Sequence, residues 1–416
     1  MPEPAKPGTA DRLDRRLVAL FAITTGVAVA NIYYVQPLID VVARAFDVSD
    51  PSAGLLVALS QLGYLLGLAF VVPLGDLLER RRLISSMLGL AAIAAAACAL
   101  APEFSVLAAA LVLLGVLSVA AQVVVPLASS LAGEAERGQV VGTVMSGLLI
   151  GILSARIFSG LIAEAAGWRG VYVVAAVAMA ALALTLRRAM PPVPPPQTHL
   201  GYRQTLRSVL ALIGREPVLR QRMAFGFCCF ASFGILWSSL TYLLSTTPFD
   251  YGEGVIGLFG VAGIAGASIA PVSGRLADRG HARLALTVFL LLILLGWGIL
   301  AVGRSSAAVL AIGIVVFDLG TQGTQINNQT TIYGLDPAAR SRITTAFLVA
   351  GFCGITLGST LAALLYPTAG WYLVCGVGAG FIAIALAIWA ATQMIGRAEV
   401  PAGEEREPRR SAVARG

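Results

Sequence analysis

The chain has 416 residues, of which 57% are hydrophobic and only 12% are charged, and its formal net charge is +7. A soluble domain carries roughly twice that share of charged residues, so the composition excludes an ordinary soluble protein and predicts a polytopic helical membrane protein. The apolar runs are about twice as long as the ~10-residue strands of a membrane barrel, which excludes that class too.

Hydropathy predicts twelve membrane spans, each long enough to cross a hydrocarbon core of ~30 Å at ~1.5 Å per residue. The predicted spans are residues 17–39, 52–74, 83–101, 105–131, 139–163, 170–187, 222–246, 254–274, 284–302, 307–332, 343–366 and 371–394. The first run begins like a signal peptide, but it continues past the candidate cleavage site to Leu38, which favours an uncleaved span. We therefore expect an all-α fold with twelve transmembrane helices in two pseudo-symmetric six-helix bundles.

The positive charges are distributed very unevenly between the two sides of the membrane. Of the 29 lysines and arginines, 25 fall on the side of the membrane where the predicted spans place both chain termini. Three (Arg44, Arg169 and Arg304) fall on the other side, and Arg156 lies within a span. Positive charge marks cytoplasmic loops, so both termini are predicted to be cytoplasmic. The same bias explains the net charge without nucleic acid as a partner. The single lysine indicates a GC-rich prokaryotic gene, and we expect a multi-pass protein of the prokaryotic cytoplasmic (inner) membrane.

A proline run, Pro191–Pro196, divides six spans from six, because consecutive prolines cannot form a helix interior and favour a stiff linker. The predicted organisation is a cytoplasmic segment 1–16, a helix bundle 17–187, a central cytoplasmic loop 188–221, a second bundle 222–394 and a cytoplasmic tail 395–416.

The two halves also repeat each other. Gly167-Trp168 opens the sixth span and Gly370-Trp371 opens the twelfth. A charged loop, Gly75–Arg82, follows the second span, and a related loop, Gly274–Arg283, follows the eighth. Parallel six-span halves are a known transporter layout, with the substrate site at the midplane between them.

These features together resemble the major facilitator superfamily, within its drug:proton antiporter and sugar-efflux branch. The family's loop between its second and third spans reads Gly-x-x-x-Asp-Arg-x-Gly-Arg-Arg. The second copy matches it through Gly274, Asp278, Arg279, Gly280 and Arg283, and the first through Gly75, Glu79, Arg80, Arg81 and Arg82, with Glu79 at the Asp position. The resemblance covers about residues 15–394. It implies two halves that rock around a midplane site, with the first, fourth, seventh and tenth spans lining the cavity.

The charged loops are candidates for a conformational latch, since carboxylates favour helix N-termini and arginines bridge carboxylates of neighbouring helices. The candidate latch residues are Gly75, Asp76, Glu79, Arg80, Arg81, Arg82, Gly274, Asp278, Arg279 and Arg283. We expect Glu79 to meet the start of the eleventh span, near residues 341–343, and Arg80–Arg82 to meet Glu134 or Glu136. The alternative is that these arginines only set the topology.

Two ionisable residues, Arg156 and Asp318, lie deep within predicted spans. A charge at the centre of a lone membrane helix costs ~2.5–3.5 kcal/mol, so each should face a cavity or a partner. Arg156 stands where the family's antiporters carry a proline, and the fourth span lacks their arginine. We predict Asp318 as the protonation site and Arg156 as a substrate or counter-ion site, and they could pair across the halves. Helix-locking contacts are the alternative.

Polar side chains concentrate on the spans expected to line the cavity. Asp318, Gln322 and Gln325 share one helix face, which a lipid-facing helix would not carry. The other cavity candidates are Asn31, Tyr34, Gln36, Gln61, Tyr64, Gln122, Trp237 and Tyr242. Aromatic-belt anchoring for the tyrosines of the first span, and helix packing for Trp237 and the tenth span, are the alternatives.

The sequence contains no nucleotide-binding loop, no nucleophile–base set and no metal-ligand spacing. We therefore expect no enzymatic activity, no cofactor and no metal. The prediction is a monomeric secondary transporter that exports a small drug-like or sugar-like compound by proton antiport. The alternatives are uptake or facilitated transport of a small organic anion, and a non-transporting membrane sensor or scaffold.

Overall fold

The computed structural model describes residues 13–133, 136–193, 201–261, 282–333, 335 and 340–398, and all regular structure in these ranges is helical. The helices are α1 (Arg15–Ala30), α2 (Ile39–Phe46), α3 (Asp50–Leu66), α4 (Arg80–Ala99), α5 (Phe104–Ser118), α6 (Ala120–Leu131), α7 (Arg137–Ala189), α8 (Tyr202–Arg215), α9 (Pro217–Leu244), α10 (Glu253–Leu258), α11 (Ala282–Val302), α12 (Ala307–Tyr333) and α13 (Arg340–Ala398). A π-helical segment, Gly67–Val71, and a 3-10 segment, Val72–Asp76, extend α3, and 3-10 turns lie at Gln36–Leu38 and Gly303–Ser305.

Eight helical segments in the described ranges are long and apolar enough to cross a membrane. Two of them, in α7 and α13, are long because each contains two predicted spans joined at a glycine. The predicted all-helical membrane fold is therefore confirmed, and the arrangement is consistent with twelve spans. Most of the predicted eighth span, 254–274, lies outside the described residues.

The repeated Gly-Trp pair has a structural reason. Gly167 and Gly370 have φ angles of 73° and 71°, a region that costs an L-residue about 1–2 kcal/mol. Each glycine reverses the chain between two spans, and the tryptophan that follows it is buried. The indole N–H of Trp371 donates to the carbonyl of Leu300 at 2.9 Å, which fixes the start of the twelfth span against the ninth.

Close helix contacts recur at equivalent positions of the two halves. A Cβ on Gly151 of α7 would lie 2.2 Å from the carbonyl oxygen of Gly26 in α1. A Cβ on Gly358 of α13, 207 positions later, would lie 2.1 Å from the carbonyl oxygen of Ala231 in α9. Small residues allow such backbone contact, and the first and fifth spans therefore pack as the seventh and eleventh do.

Two main hydrophobic cores fall on the two sides of the proline run, one drawn almost wholly from residues 18–190 and the other from residues 225–389. A small third cluster joins Leu219 at the start of α9 to Ile332 and Phe347 at the cytoplasmic ends predicted for the tenth and eleventh spans, and Leu212 of α8 packs against it. The exact domain limits stay a prediction.

The halves are in backbone contact on one face of the molecule and line a cavity on the other. We call the face that carries Arg80–Arg82 and Arg187–Arg188 the arginine-rich face, and the other the opposite face. Towards the opposite face, a Cβ on Gly54 would lie 1.7 Å from the hydroxyl of Tyr242, and one on Gly257 would lie 2.5 Å from the carbonyl oxygen of Arg156. The backbones of the two halves touch there.

On the arginine-rich face the two halves line an open cavity, which we call the vestibule. Its lining includes Arg80 and Gln122 from the first half, Arg342 and Thr345 from the second, and Val209 from α8. The structure thus has a seal towards the opposite face and a vestibule on the arginine-rich face.

Candidate functional site

Arg156, in the fifth-span part of α7, is the centre of a buried polar cluster between the halves. Its side chain is 3% exposed, and its Nε donates to Oε1 of Gln36 at 2.7 Å. Its Nη2 has no hydrogen-bond partner. A buried charge is costly unless it is compensated, so an unused guanidinium donor here is available to another acceptor.

Aromatic rings form the walls around this guanidinium. Its Cζ lies 3.9 Å from the ring centroid of Trp237, 4.9 Å from that of Tyr33 and 5.6 Å from that of Phe233. Each cation–π contact of this kind contributes about 0.5–2 kcal/mol, most when it is desolvated. We call Arg156, Gln36, Tyr33, Phe233 and Trp237 the arginine cage; the first half supplies the first three and the second half supplies the two others.

Asp318, in the middle of α12, is the acidic partner of the arginine cage. Its side chain is 2% exposed, its charge interacts with that of Arg156, and its Oδ1 accepts no hydrogen bond. The indole N–H of Trp237, a second-half residue of the cage, is buried and has no hydrogen-bond partner either. Arg156 and Asp318 are thus close enough for their charges to interact, one from each half, but they form no ion pair within 4.0 Å in this conformation.

Backbone contacts hold the cage in place. Gln36 lies in the 3-10 turn where the first span ends, and its carbonyl accepts a bond from Thr241 Oγ1 of α9 at 2.9 Å. Ser159, three residues after Arg156, donates to the carbonyl of Tyr34 at 2.6 Å. The turn after α1 is thus fixed to both halves, so a rocking motion of the halves must rearrange the contacts of Gln36.

A second contact between the halves involves Tyr64, Gln122 and Phe352. Gln122 Nε2 donates to the Tyr64 hydroxyl at 3.1 Å, and the Tyr64 ring lies 4.4 Å from the ring of Phe352. Tyr64 and Gln122 belong to the first half, and Phe352 belongs to the eleventh span. Since Gln122 also lines the vestibule, this contact adjoins its inner end.

The other predicted cavity residues are placed in different surroundings. Asn31 Nδ2 donates to the Ala28 carbonyl at 3.2 Å and to Ser118 Oγ at 3.3 Å, which places it within the first half. Gln61 Nε2 reaches the Ile32 carbonyl at 3.5 Å, also within the first half. Tyr242 stacks on Tyr366 with centroids 5.3 Å apart, in the seal. Gln322 and Gln325 are half-buried on α12. Their roles stay predictions.

Glu79 does not meet the start of the eleventh span in this structure. It caps α4, where its carboxylate accepts bonds from the backbone N–H groups of Arg81 and Arg82 at 3.1 Å and of Val193 at 3.2 Å. Partial burial raises the pKa of this carboxyl, but the three donors and the charge of Arg81 outweigh it, so the pKa is lowered overall. The expected partner was wrong for this conformation, because backbone donors of the first half already satisfy the carboxylate.

The arginines beside Glu79 bind within the first half. Arg80 Nη1 donates to Ser130 Oγ at the end of the fourth span at 3.2 Å, and Arg81 Nη1 donates to the Met190 carbonyl at 3.4 Å. Arg80 thus contacts Ser130 of the fourth span and Arg81 contacts the end of the sixth span, whereas the expected contact with Glu134 or Glu136 stays a prediction, since Glu134 lies outside the described residues. Gly75 packs near Val123 of the fourth span. Residues 274–281, with Gly274, Asp278 and Arg279, and the side chain of Asp76 lie outside the described residues; Arg283 is exposed.

Arg222 is a buried charge that the sequence interpretation missed. It is 8% exposed at the start of the seventh span, and its Nη1 donates to Oδ1 of Asn327 at 3.1 Å and of Asn328 at 3.2 Å. From the sequence alone, Arg222 is one of the 25 positive residues that set the topology. The signal that could have found it is the adjacent asparagine pair at the corresponding end of the tenth span.

Comparisons with known proteins agree with this architecture. Residues 21–347 match the Major Facilitator Superfamily, and the chain belongs to that family of membrane transporters.

The chain is 46% identical over 377 residues to the putative uncharacterized transporter YgaY of Escherichia coli K12, covering 91% of this chain and 95% of that one. It is 31% identical over 396 residues to a probable transporter of Streptomyces coelicolor, SCO4007, covering 94% and 90%. The crystal structure of the nucleoside transporter NupG superposes with a TM-score of 0.71 at 16% identity, covering 90% of this chain and 99% of that one. The protein is therefore a multi-pass membrane transporter, and its bacterial relatives fit a bacterial inner membrane and a protein that is not an enzyme.

Proposed function

We propose that this transporter exports a small organic compound in exchange for protons, by alternating access around the arginine cage. The observation that carries the proposal is the buried Asp318, whose Oδ1 has no hydrogen-bond partner and which forms no ion pair with the equally buried Arg156 of the other half. An isolated buried carboxylate is stable either when it is paired with a positive charge or when it is protonated. Movement of the two halves changes that pairing, so it can be coupled to gain and loss of a proton.

The proposed cycle takes its sides of the membrane from the predicted orientation of the chain. If the arginine-rich face is cytoplasmic, as the charge bias predicts, the present conformation is open to the cytoplasm and sealed outside. Substrate enters the vestibule, reaches the unused Nη2 donor of Arg156 and leaves outward when the seal opens. Asp318 takes a proton from outside and releases it inside. The aromatic walls of the cage favour an amphipathic or sugar-like compound, since rings pack on apolar and sugar faces.

The charged loops are proposed to act as the cytoplasmic latch. Arg80 and Arg342 line the vestibule from opposite halves, so their separation decreases when the vestibule closes. Two like charges repel in that state unless a carboxylate lies between them. Glu79, which now caps α4, is a nearby carboxylate of the first half. We propose that it changes partners as the vestibule closes.

Proteoliposomes test this function directly. Purified protein is screened by thermal shift against small organic cations, neutral sugars and organic anions, and each stabilising compound is followed by flux. Proton antiport predicts that substrate added on the vestibule side drives protons the other way, reported by a pH dye trapped inside. Substrate flux that is unaffected by an imposed pH gradient would reject proton coupling.

One observation favours a second candidate, the transport of a small organic anion. Arg156 Nη2 is a buried positive donor without a partner, and a carboxylate or phosphate would satisfy it. The anion version predicts that Arg156→Ala weakens anionic substrates far more than neutral ones. Equal loss for both kinds would show that Arg156 acts on the fold or the cycle and not on substrate charge.

A further inference from the structure

A second cavity lies on the arginine-rich face, away from the vestibule. It lies between the start of α4 and the end of α7, and its lining residues are Arg81, Arg82, Ser85 and Arg187. The vestibule is lined by a different arginine of the same loop, Arg80. The second cavity is therefore a separate site with three positive charges and one hydroxyl.

Among the side chains that the structure describes, the carboxylate paired with these arginines is that of Glu79, which already accepts other hydrogen bonds. Glu79 Oε2 lies 3.5 Å from the Nε of Arg82, but the same carboxylate accepts three backbone N–H bonds. Arg81 donates to a backbone carbonyl, and Arg187 is exposed. The lining thus keeps an excess of positive charge that a ligand with two or more oxygen acceptors would neutralise.

Ser85 provides an independent sign of a ligand. It is 7% exposed, lines the cavity, and its Oγ has no hydrogen-bond partner. Many helical hydroxyls of this protein donate to the carbonyl four residues earlier, as Ser118 does to Leu114 at 2.7 Å. Ser85 shares its lack of a partner with Ser238, Thr324 and Ser359, which do not line this cavity. A buried hydroxyl without a partner is costly, and an acceptor in the cavity would satisfy it.

The surroundings of the cavity indicate that the ligand comes from the membrane. Arg82, Ser86, Leu90 and Ile93 are all exposed at intervals that place them on one face of α4, which is a lipid-facing stripe with its arginine at the membrane edge. The end of α7 repeats the pattern with exposed Val177, Leu184 and Arg188. The cavity therefore lies at headgroup depth beside two lipid-facing surfaces.

We propose that this cavity binds the phosphate group of an anionic membrane lipid, with Arg81, Arg82 and Arg187 supplying charge and Ser85 donating a hydrogen bond. Guanidinium groups bind phosphate oxygens in pairs, and basic residues at the cytoplasmic membrane edge attract anionic headgroups. A bound lipid would connect the start of the third span to the end of the sixth.

Native mass spectrometry of the full-length protein tests the proposal with palmitoyl-oleoyl phosphatidylglycerol as the probe. Phosphatidylcholine with the same chains and millimolar inorganic phosphate are the comparison ligands. Loss of a hydrogen bond to a charged group corresponds to about a tenfold loss of affinity. Arg187→Gln and Ser85→Ala should each lower phosphatidylglycerol affinity about tenfold, whereas Arg188→Gln, a neighbour that does not line the cavity, should change it less than about twofold.

Three results would overturn the proposal. Equal loss in Arg187→Gln and Arg188→Gln would show general attraction to the arginine-rich face. Equal retention of phosphatidylcholine and phosphatidylglycerol would show that the charge is not recognised. Full displacement of the lipid by inorganic phosphate would identify a site for a free anion. Arg187 is exposed, so its variant should fold, and Ser85→Ala tests the same site without a change of charge.

Discussion

The hydrogen bond between Gln36 and Arg156 gives the most quantitative prediction for the cage. Gln36→Leu keeps the side-chain size and the backbone carbonyl that binds Thr241, but it removes the acceptor that lies 2.7 Å from Arg156 Nε. Hydrogen bonds to charged groups contribute about 1.5–3 kcal/mol, and Arg156 already has one donor without a partner. We expect Gln36→Leu to lower the free energy of unfolding by about that amount, a 10- to 150-fold change in the folding equilibrium.

Gln61→Leu is the matched control, since Gln61 is also a buried glutamine of the first half. Its only bond described here is a long one of 3.5 Å to a backbone carbonyl, and its Oε1 has no partner. Replacing it with leucine should therefore be close to neutral. Unfolding in detergent is followed by fluorescence for both variants, and a double-mutant cycle of Gln36→Leu with Arg156→Met isolates the pair. The reasoning is refuted if the coupling energy is below about 0.5 kcal/mol or if both leucine variants cost the same.

Three further predictions concern the chain reversal, the latch and the seal. Gly167→Ala should lower the free energy of unfolding by about 1–2 kcal/mol because of its positive φ, whereas Gly89→Ala, in a helix with open space around it, should not destabilise; thermal unfolding of both variants decides. Folding lowers the pKa of Glu79, so wild type should be more stable than Glu79→Gln above the ordinary carboxyl pKa of about 4.3. The difference in stability should vanish as the pH falls through the pKa of Glu79 in the folded protein. Unfolding is measured at about five pH values down to about pH 3, and a constant difference over that range would contradict the prediction. Gly54→Leu should prevent closure against Tyr242 and raise the reactivity of a Thr241→Cys variant towards a membrane-impermeant maleimide, and unchanged reactivity would mean that the seal is not formed at Gly54.

The fold was largely predictable because membrane spans are set by local hydrophobicity. The two charges of the site were predictable for the same reason, since Arg156 and Asp318 are expensive in lipid and need a partner. Their aromatic neighbours were not, because Tyr33 and Phe233 are ordinary residues of apolar spans and only the packing of the two halves brings them to Arg156. How closely the two halves approach each other depends on tertiary contacts, which a hydropathy pattern does not predict.

The partner of Glu79 shows a second limit. A charged loop in a sequence favours ion pairs, but it does not indicate in which conformation they form. In the present conformation the nearest donors are the backbone N–H groups of its own helix start, which need no movement of the halves. Arg222 shows the same difficulty, because an arginine at a span edge is usually a topology signal and here it is buried beside two asparagines.

Asp318→Asn in proteoliposomes tests the central claim most directly, with Asp40→Asn as the control in an exposed ion pair of small energetic value. The measurement compares gradient-driven flux of a substrate with its exchange at equal pH on both sides. The account predicts that Asp318→Asn folds, retains exchange and loses acceleration by the proton gradient, whereas Asp40→Asn retains both. Gradient-driven flux equal to wild type in the folded Asp318→Asn variant would contradict the account.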